Sequence, residues 1–219
     1  MKKRVFKLSI VFILVTCMII LLKIFPTIKL GYEMYKNAVN EISVEQMVEQ
    51  VRSDENYIKL EDISKEYITL LLQSEDKRFY YHFGFDPIAM ARAMYNNIKL
   101  GYFAQGGSTI TQQLAKNLYF SFEKKMERKV AELFVAFELE RLLTKDEILE
   151  LYCNVAYFGE GCYGIKEASH HYYGVSPSTL TMEQASSLVF TLKSPNRYNP
   201  NAYPLLVNFN LSDKIVRFV

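Results

Sequence analysis

Two short segments of this sequence hold more reactive side chains than a hydrophobic core needs. Residues 75–86 read EDKRFYYHFGFD, in which a pair of carboxylates precedes a cluster of aromatic rings. Residues 105–117 read QGGSTITQQLAKN and combine a glycine pair, hydroxyls, two adjacent amides and a lysine. Because each of these polar groups needs a partner if it is buried, their concentration indicates a site rather than packing. The first segment offers a general acid or base, and the second offers a site for an anion.

Glu75 is the residue best suited to general-base chemistry. We expect it at the end of a helix, where the negative end of the helix dipole and the neighbouring Asp76 both raise its proton affinity. Taken alone, a glutamate in this place is more often a solvated helix-end carboxylate. The aromatic and polar residues that follow it favour the catalytic interpretation.

The second segment and the stretch that follows it place cations at helical spacing. Gln112 and Lys116 are four residues apart and share one face of a helix, with Ser108 one turn earlier. That face can hold a phosphate or a sugar. Arg128 and Glu132 have the same spacing, and taken alone they are more simply explained as an exposed ion pair worth at most about 0.5 kcal/mol.

Four segments together resemble the first four motifs of a known family, in the family's order. They are residues 75–86, residues 105–117, ERKVAE at 127–132 and KDEILELYCNVAYFGEGCYGI at 145–165. The family is the peptidoglycan glycosyltransferases, glycosyltransferase family 51, which polymerise lipid II into glycan strands. One such motif would be a moderate signal, whereas four in order are specific. The fifth region, 199–219, departs from the family, because Phe209, Asn210 and Leu211 stand near the place where arginines are usual.

The resemblance implies a role for each of several side chains. Glu75 would be the general base on the 4-hydroxyl of the acceptor sugar, and Phe79 would shape the cleft beside it. Lys116 and Arg128 would hold the diphosphate, with Glu132 in the same site as a second essential carboxylate. The remaining lining residues would be Ser108, Gln112, Gln113 and Tyr157. Lys124 stands where the family usually has an arginine, so the charge is kept but bidentate phosphate recognition is lost.

The resemblance also implies a divalent cation, Mg²⁺ or Mn²⁺, and no organic cofactor. The cation would bridge the diphosphate and Glu132. The histidines do not predict a separate metal site, because His170 and His171 are adjacent on a predicted helix and no Cys/His spacing accompanies them. We expect His82 to be a structural hydrogen-bonding residue.

The N-terminal residues predict a membrane anchor. The basic residues of 1–7 precede an uncharged run, and counting from 5 to 25 gives about 31 Å of helix, which matches a hydrocarbon core. No small-residue cleavage site follows Leu22, so we expect an uncleaved anchor rather than a signal peptide. The basic tail predicts a cytoplasmic N-terminus, with everything after Lys29 on the extracytoplasmic face of the cell membrane.

The sequence predicts four regions. They are a cytoplasmic tail (1–7), a transmembrane anchor (8–25), a stalk and membrane-proximal segment (26–60) and a glycosyltransferase domain (61–219). The formal net charge is +2, and the tail contributes more than that, so the rest is slightly acidic and nucleic acid is not expected as a partner. The expected partners are lipid II, the growing lipid-linked glycan, the membrane and other proteins of cell-wall synthesis.

Helical spacing of apolar residues dominates the outer part, so we expect a mostly α fold. The predicted helices cover about 42–51, 64–76, 108–118, 124–143, 144–159, 164–173 and 182–192. In the long helix, Val130, Leu133, Phe134 and Phe137 are expected to face inward. Capping boxes are predicted at Thr144 with Glu147 and at Thr181 with Gln184.

The family resemblance implies a lysozyme-like form with a helical large lobe and a small, mobile, partly apolar lobe near the membrane. An aromatic and aliphatic group between the first two motifs suits the small lobe, and ordinary core is the alternative. Its members are Tyr95, Ile98, Leu100, Tyr102 and Phe103. Cys153 and Cys162 lie outside the anchor, and nothing in their spacing decides whether they pair.

Two other functions remain open from the sequence. A lysozyme-like glycosidase or lytic transglycosylase would use Glu75 as a general acid. It would have no use for Lys116, Lys124 and Arg128 around one site, because its leaving groups are neutral. An inactive membrane-anchored scaffold for cell-wall synthesis is favoured only by the divergent fifth region, whereas every motif position assigned to the reaction is filled.

Overall fold

The computed structural model describes residues 2–102, 104–120 and 125–202, and the side chains of 2–14, 17 and 20 are not among those described. Its helices are α1 (Lys2–Glu41), α2 (Val44–Arg52), α3 (Lys65–Glu75), α4 (Pro87–Leu100), α5 (Ile110–Tyr119), α6 (Met126–Leu142), α7 (Lys145–Val155), α8 (Gly164–Tyr173), α9 (Met182–Thr191) and α10 (Pro195–Tyr198). Short 3-10 turns cover Leu60–Asp62, Phe79–Tyr81 and Pro177–Thr179. The part of the chain so described contains isolated bridges and no strand, which confirms the prediction of a mostly α fold.

Side-chain caps start most of the helices that carry the site. Ser64 accepts a hydrogen bond from the Tyr67 backbone at the start of α3, as its sequence position predicts. Complete capping boxes begin α7 at Thr144 and α9 at Thr181, which confirms both predictions. By their place in the sequence, Ser108 and Thr109 could each cap α5; Thr109 does so, and Gln112 completes its capping box. These caps satisfy backbone N–H groups that would otherwise have no partner.

The prediction that the α7 segment continues to Gly159 is wrong. The helix ends at Val155, and the chain then turns back so that Tyr157 pairs with Tyr163 in an isolated bridge. Gly159, Glu160 and Gly161 all have positive φ, with Glu160 at 52°. Ala156, directly after the helix, has an extended backbone with φ −65° and ψ 137°, so the helix ends there, and the residues with positive φ then turn the chain back.

The core forms where α5, α6 and α7 meet, with α3 packed on α9. Most of the largest fully buried side chains come from α3, α5, α6 and α7 and from the segments that follow α3 and α7. They include Tyr67, Leu71, Phe79, Ile110, Leu114, Leu139, Ile148, Leu149, Leu151, Tyr152 and Phe158. Burying each of them contributes about 1.5–3 kcal/mol of transfer free energy. The core therefore fixes the relative positions of the helices that bear the candidate residues.

The two faces of α6 differ from the prediction. Val130, Leu133, Phe134 and Phe137 are only half-buried, and Phe134 stacks on Tyr35 of α1 at 5.5 Å between ring centroids. The fully buried face consists of small or medium apolar residues together with two charged residues. These are Ala131, Val135, Ala136 and Leu139, with Arg128 and Glu132. Val130 and Phe134 lie against α1, whereas Phe137 packs on Phe83 and Phe85 of the loop before α4.

Helices α1 and α2 pack against the domain that the sequence predicts to begin at 61. Tyr35 of α1 donates a hydrogen bond of 2.7 Å to Glu138 of α6, and Val44 and Val48 of α2 are buried in the core. The segment 26–60, predicted as a stalk, is thus largely part of the packed structure. Within the described residues, no helix combines the length and the apolarity that a membrane span requires. Part of the predicted anchor at 8–25 consists of residues whose side chains are not described.

Helix α4 carries an exposed apolar surface. Its residues Met94, Tyr95 and Ile98 are 63%, 65% and 74% exposed, and Tyr102 beyond its end is also exposed. These exposures exclude the alternative that these side chains belong to an ordinary core. Phe103 lies outside the described residues.

Cys153 and Cys162 are buried free thiols, so they do not form the disulfide that the sequence left open.

Candidate active site

Glu75 ends α3 and is held by two neighbours. Its Oε2 accepts a hydrogen bond of 2.9 Å from Gln113 Nε2 of α5, and its Oε1 accepts one of 3.2 Å from Ser74 Oγ. The side chain is half-buried. The carboxylate is therefore oriented by donors and is not the freely solvated helix-end group that the simpler interpretation of the sequence required.

Asp76, the next residue, fixes the turn that follows Glu75. Its carboxylate lies 2.9 Å from His82 Nε2, and its Oδ2 also accepts a hydrogen bond of 3.0 Å from the Ile110 backbone N–H. Asp76 and His82 are both almost fully buried. This arrangement joins the C-terminus of α3 to the N-terminus of α5, and it confirms the prediction that His82 is a structural hydrogen-bonding residue.

Arg128 and Glu132 form a buried charged group on α6. Their side chains are 9% and 0% exposed, and Arg128 Nε lies 3.3 Å from Glu132 Oε1. Lys129 Nζ approaches Glu132 Oε2 at 2.6 Å and also lies 3.4 Å from Ser108 Oγ. The interpretation of Arg128 and Glu132 as an exposed ion pair is therefore wrong. Burying one carboxylate against two cations is costly unless a further ligand uses the excess positive charge.

Lys116 connects this charged group with Glu75. Burial lowers the pKa of Lys116 below the ordinary lysine value of 10.5, and the positive charges of Lys129 and Arg128 lower it further. The negative charges of Glu132 and Glu75 act in the opposite direction. One ammonium group thus responds to both predicted carboxylates, which places the two halves of the candidate site within electrostatic reach of each other.

Two predicted residues, Gln112 and Phe79, have structural contacts of their own. Gln112 Oε1 accepts a hydrogen bond of 3.0 Å from the Thr109 N–H as part of the cap of α5. Phe79 is 1% exposed and lies under Lys145 Nζ, 4.5 Å from its ring centroid. It can therefore shape the cleft only through the residues that it packs against. Lys124 lies outside the described residues.

Tyr157 lies by a separate cavity. Its hydroxyl donates to Asn196 Oδ1 at 3.0 Å, and its ring lies 4.9 Å from that of Tyr163. The cavity has a volume of about 400 Å³ and is also lined by Asn117 and Asn154. Glu75 is not among the described residues that line it. The structure thus brings together Glu75, Gln113, Lys116, Arg128, Glu132 and Ser108 through direct or electrostatic contacts, and it places Tyr157 beside a different cavity.

Two residues of this site were not predicted. Lys129 is three residues before Glu132, a helical spacing that could have identified it, although only the pair four apart was considered. Tyr152 donates a hydrogen bond of 2.9 Å to Gln113 Oε1, and it is fully buried. No local pattern in the sequence identifies Tyr152, because its contact with Gln113 joins residues 39 positions apart.

The described side chains do not build a resident metal site. Within 2–102, 104–120 and 125–202, no group of three His, Cys, Asp or Glu side chains could hold an ion. Glu132, the predicted ligand, already faces Arg128 and Lys129, whose charges would repel a protein-bound cation. The expected Mg²⁺ or Mn²⁺ therefore does not fit as an ion held by these residues alone.

Comparison with known proteins identifies relatives across most of the chain. The profile of a family described as "Transglycosylase" matches residues 41–212. Penicillin-binding protein 1A of Aquifex aeolicus is 41% identical over 148 residues, which cover 68% of this chain and 20% of the relative. Penicillin-binding protein 1A of Vibrio cholerae is 45% identical over 143 residues, or 65% of this chain and 17% of the relative. Penicillin-binding protein 1A/1B of Bacillus subtilis is 39% identical over 171 residues, which cover 78% of this chain and 19% of the relative. The chain spans about a fifth of the length of these curated relatives.

Proposed function

This chain belongs to the transglycosylase family, and on that premise we propose that it is a peptidoglycan glycosyltransferase that polymerises lipid II into β-1,4-linked glycan strands. The observation that carries the proposal is that α5 and the residue before its cap contact both halves of the site. Gln113 donates to Glu75. Ser108 lies 3.4 Å from Lys129 of the charged group around Glu132. A base for a hydroxyl and a cationic group for a diphosphate are the two things that this transfer needs. Lys116 of the same helix is within electrostatic reach of both carboxylates.

Glu75 would act as the general base. It takes the proton from the 4-hydroxyl of the acceptor lipid II as that oxygen attacks the anomeric carbon of the donor glycan. The bond from this carbon to the diphosphate breaks, and the polyprenyl diphosphate leaves with the electron pair. Attack on the face opposite the leaving group inverts the anomeric carbon. Ser74 and Gln113 donate hydrogen bonds to the Glu75 carboxylate and so orient the group that would accept the proton.

The cations around Glu132 would hold the leaving diphosphate. Arg128, Lys129 and Lys116 carry more positive charge than Glu132 neutralises, and charge-assisted bonds to phosphate strengthen as the leaving group takes up charge. Glu132 would keep these cations in place between turnovers. A divalent cation would enter as the counterion of the diphosphate, and no organic cofactor is proposed.

The membrane would be a partner at two places. The predicted anchor at 8–25 would tether the chain with its N-terminus in the cytoplasm and its site on the outer face. The exposed apolar side chains of α4, including Met94, Tyr95 and Ile98, would meet the bilayer from which the lipid-linked substrate is drawn. A lysozyme-like fold with two lobes and contacts with other proteins of cell-wall synthesis remain part of this proposal.

A direct assay separates this proposal from its alternatives. The purified full chain is incubated with lipid II and Mg²⁺, and in a second reaction with preformed uncrosslinked glycan strands. We expect polymer from lipid II that lysozyme digests, and no shortening of the strands. Shortened strands without polymer would favour the glycosidase, and no change in either reaction would favour the inactive scaffold. Arg128→Lys, which keeps the charge beside Glu132 but loses the bidentate fork, should lower polymer formation about tenfold.

A further inference from the structure

We infer that Tyr152 is a positioning residue for Glu75 and acts through the side-chain amide of Gln113. Tyr152 comes from α7, Gln113 from α5 and Glu75 from α3, so the chain of contacts crosses three helices. The Tyr152 hydroxyl donates to Gln113 Oε1 at 2.9 Å, and Gln113 Nε2 donates to Glu75 Oε2 at 2.9 Å. The inference rests on the proposed role of Glu75 as the base.

The direction of these hydrogen bonds fixes how the amide is turned. An amide offers an acceptor at its oxygen and donors at its nitrogen, and the two ends are similar in shape. The Tyr152 hydroxyl occupies the oxygen end, so the nitrogen end faces the carboxylate. A reversed amide would place its oxygen against Glu75, and two acceptors would then repel each other. Glu75 can only accept, so the nitrogen end of the amide faces it, and the Tyr152 hydroxyl donates to the oxygen end and holds Gln113 in that orientation.

Tyr152 is well suited to remain a donor throughout the working pH range. It is 1% exposed, and the hydrogen bond to Gln113 is the contact that satisfies its hydroxyl. Burial, followed by the negative charge of Glu75, raises the pKa of Tyr152 well above its ordinary value of 10.0. The hydroxyl thus keeps the proton that it donates to Gln113 Oε1 when Glu75 is charged.

Glu75 is also near other titratable and charged groups, which the test must separate from Tyr152. Tyr67 of α3 and Lys116 of α5 both interact with its charge, and Asp76 is adjacent to it. Tyr67 provides a matched control. It is a fully buried tyrosine of the same core, and its hydroxyl has no hydrogen-bond partner within the described residues. Removing that hydroxyl leaves the chain from Tyr152 to Glu75 intact.

The test compares Tyr152→Phe with Tyr67→Phe in the full chain. For Tyr152→Phe we expect kcat on lipid II to fall about tenfold at neutral pH, with little change in KM, because one hydrogen bond that favours the reactive state is lost. Tyr67→Phe should leave both kcat and KM as in the wild type.

A second variant tests whether Tyr152 acts through Gln113. Gln113→Leu removes the amide from a half-buried position and should lower kcat with little change in KM. Adding Tyr152→Phe to Gln113→Leu should then cause no further change, because the contact that it breaks is already absent. Additive effects of the two substitutions would overturn the inference. So would an unchanged kcat in folded Tyr152→Phe, or an equal fall of kcat in Tyr67→Phe.

A measurement that does not depend on turnover separates this inference from the proposed function. The side-chain amide resonances of Gln113, assigned by their loss in Gln113→Leu, are compared in each variant. We expect them to shift in Tyr152→Phe, which breaks the contact with the amide oxygen, and to stay in place in Tyr67→Phe. Unshifted resonances in Tyr152→Phe, or an equal shift in Tyr67→Phe, would overturn the inference even if the enzyme is active. Shifted resonances in a protein that makes no polymer would support the contact and reject the proposed function.

Discussion

Lys116 shows how burial and charge compete at one side chain. Burial lowers its pKa, and the cations Arg128 and Lys129 lower it further, whereas the carboxylates Glu75 and Glu132 oppose this effect. A buried cation, whose charge is costly in the free protein, gains more free energy from binding an anion than an exposed cation does. The residue is therefore better suited to binding a diphosphate than to stabilising the fold.

Lys116 should set an alkaline limit on the reaction. Its ammonium form must be present to bind the diphosphate, and its lowered pKa means that this form is lost at a lower pH than for an ordinary lysine. We therefore expect kcat/KM for lipid II to fall on the alkaline side below the ordinary value of 10.5. Lys116→Arg should keep activity and extend the plateau to higher pH, because arginine stays charged. The same alkaline limit in both proteins would show that another group causes it.

The sequence identified the residue types of this site but not their burial. Arg128 and Glu132 have the spacing of an ordinary surface ion pair, and nothing local shows that they are 9% and 0% exposed. Their burial follows from the packing of α6 on α5, which is a long-range property. Tyr152 was missed for the same reason, since its partner Gln113 is on a different helix.

At the scale of the helices, Glu140 connects the elements that carry the site. Its Oε1 accepts hydrogen bonds from the Gly84 backbone N–H at 2.9 Å, from Thr111 Oγ1 at 2.7 Å and from Lys145 Nζ at 2.6 Å. These donors belong to the loop before α4, to α5 and to α7. A single carboxylate from α6, 3% exposed, thus joins three segments.

Glu140→Ala should destabilise the fold strongly. The substitution leaves the largely buried Lys145 ammonium without its carboxylate partner. It also removes the acceptor of the hydrogen bonds from the Gly84 N–H and the Thr111 hydroxyl. Breaking such a buried pair costs about 3 kcal/mol or more, which corresponds to roughly 10 °C in Tm for a chain of this size. The measurement is thermal unfolding followed by circular dichroism. Glu49→Ala, on the exposed side of α2, is the control, and an equal Tm for both variants would contradict the role of Glu140.

Helix positions were largely predictable because their starts are encoded locally. The boxes at Thr144 and Thr181 and the cap at Ser64 are short-range patterns, and the structure uses all three. The end of α7 was not predictable in the same way. It depends on Ala156 adopting an extended backbone, which leads the chain into the bridge between Tyr157 and Tyr163, and no local pattern of residues indicates this change.

At the scale of the whole molecule, α1 is packed on the helix that carries the charged group. Gly31 is buried at this contact, and a Cβ added there would lie 2.5 Å from Val130 Cβ and 2.7 Å from the Glu127 carbonyl oxygen. Tyr32 and Tyr35 pack on Phe134 close by. The contact between α1 and α6 was not predicted from the sequence. The prediction assigned 26–60 to a separate segment, and a contact between helices that are distant in the chain leaves no local pattern.

Gly31→Leu should push α1 away from α6. Because the neighbours at Gly31 include backbone, they cannot yield as a flexible side chain would, so we expect a loss of about 1–3 kcal/mol in stability and a lower rate of polymer formation. Glu33→Leu places the same side chain at an exposed position of α1 and should have little effect on either quantity. Thermal unfolding and the lipid II assay check both variants. Wild-type Tm and rate in Gly31→Leu would show that α1 does not constrain α6.

The most direct measurement is the rate at which Glu75→Gln converts lipid II into polymer, compared with wild type and with Glu66→Gln. The amide keeps the size of the side chain but cannot take a proton, whereas Glu66 lies on the exposed face of the same helix. We predict that Glu75→Gln lowers the rate by about 10² to 10⁴ at unchanged Tm, and that Glu66→Gln matches wild type. A folded Glu75→Gln that retains more than roughly a tenth of the wild-type rate would contradict the assignment of Glu75 as the general base.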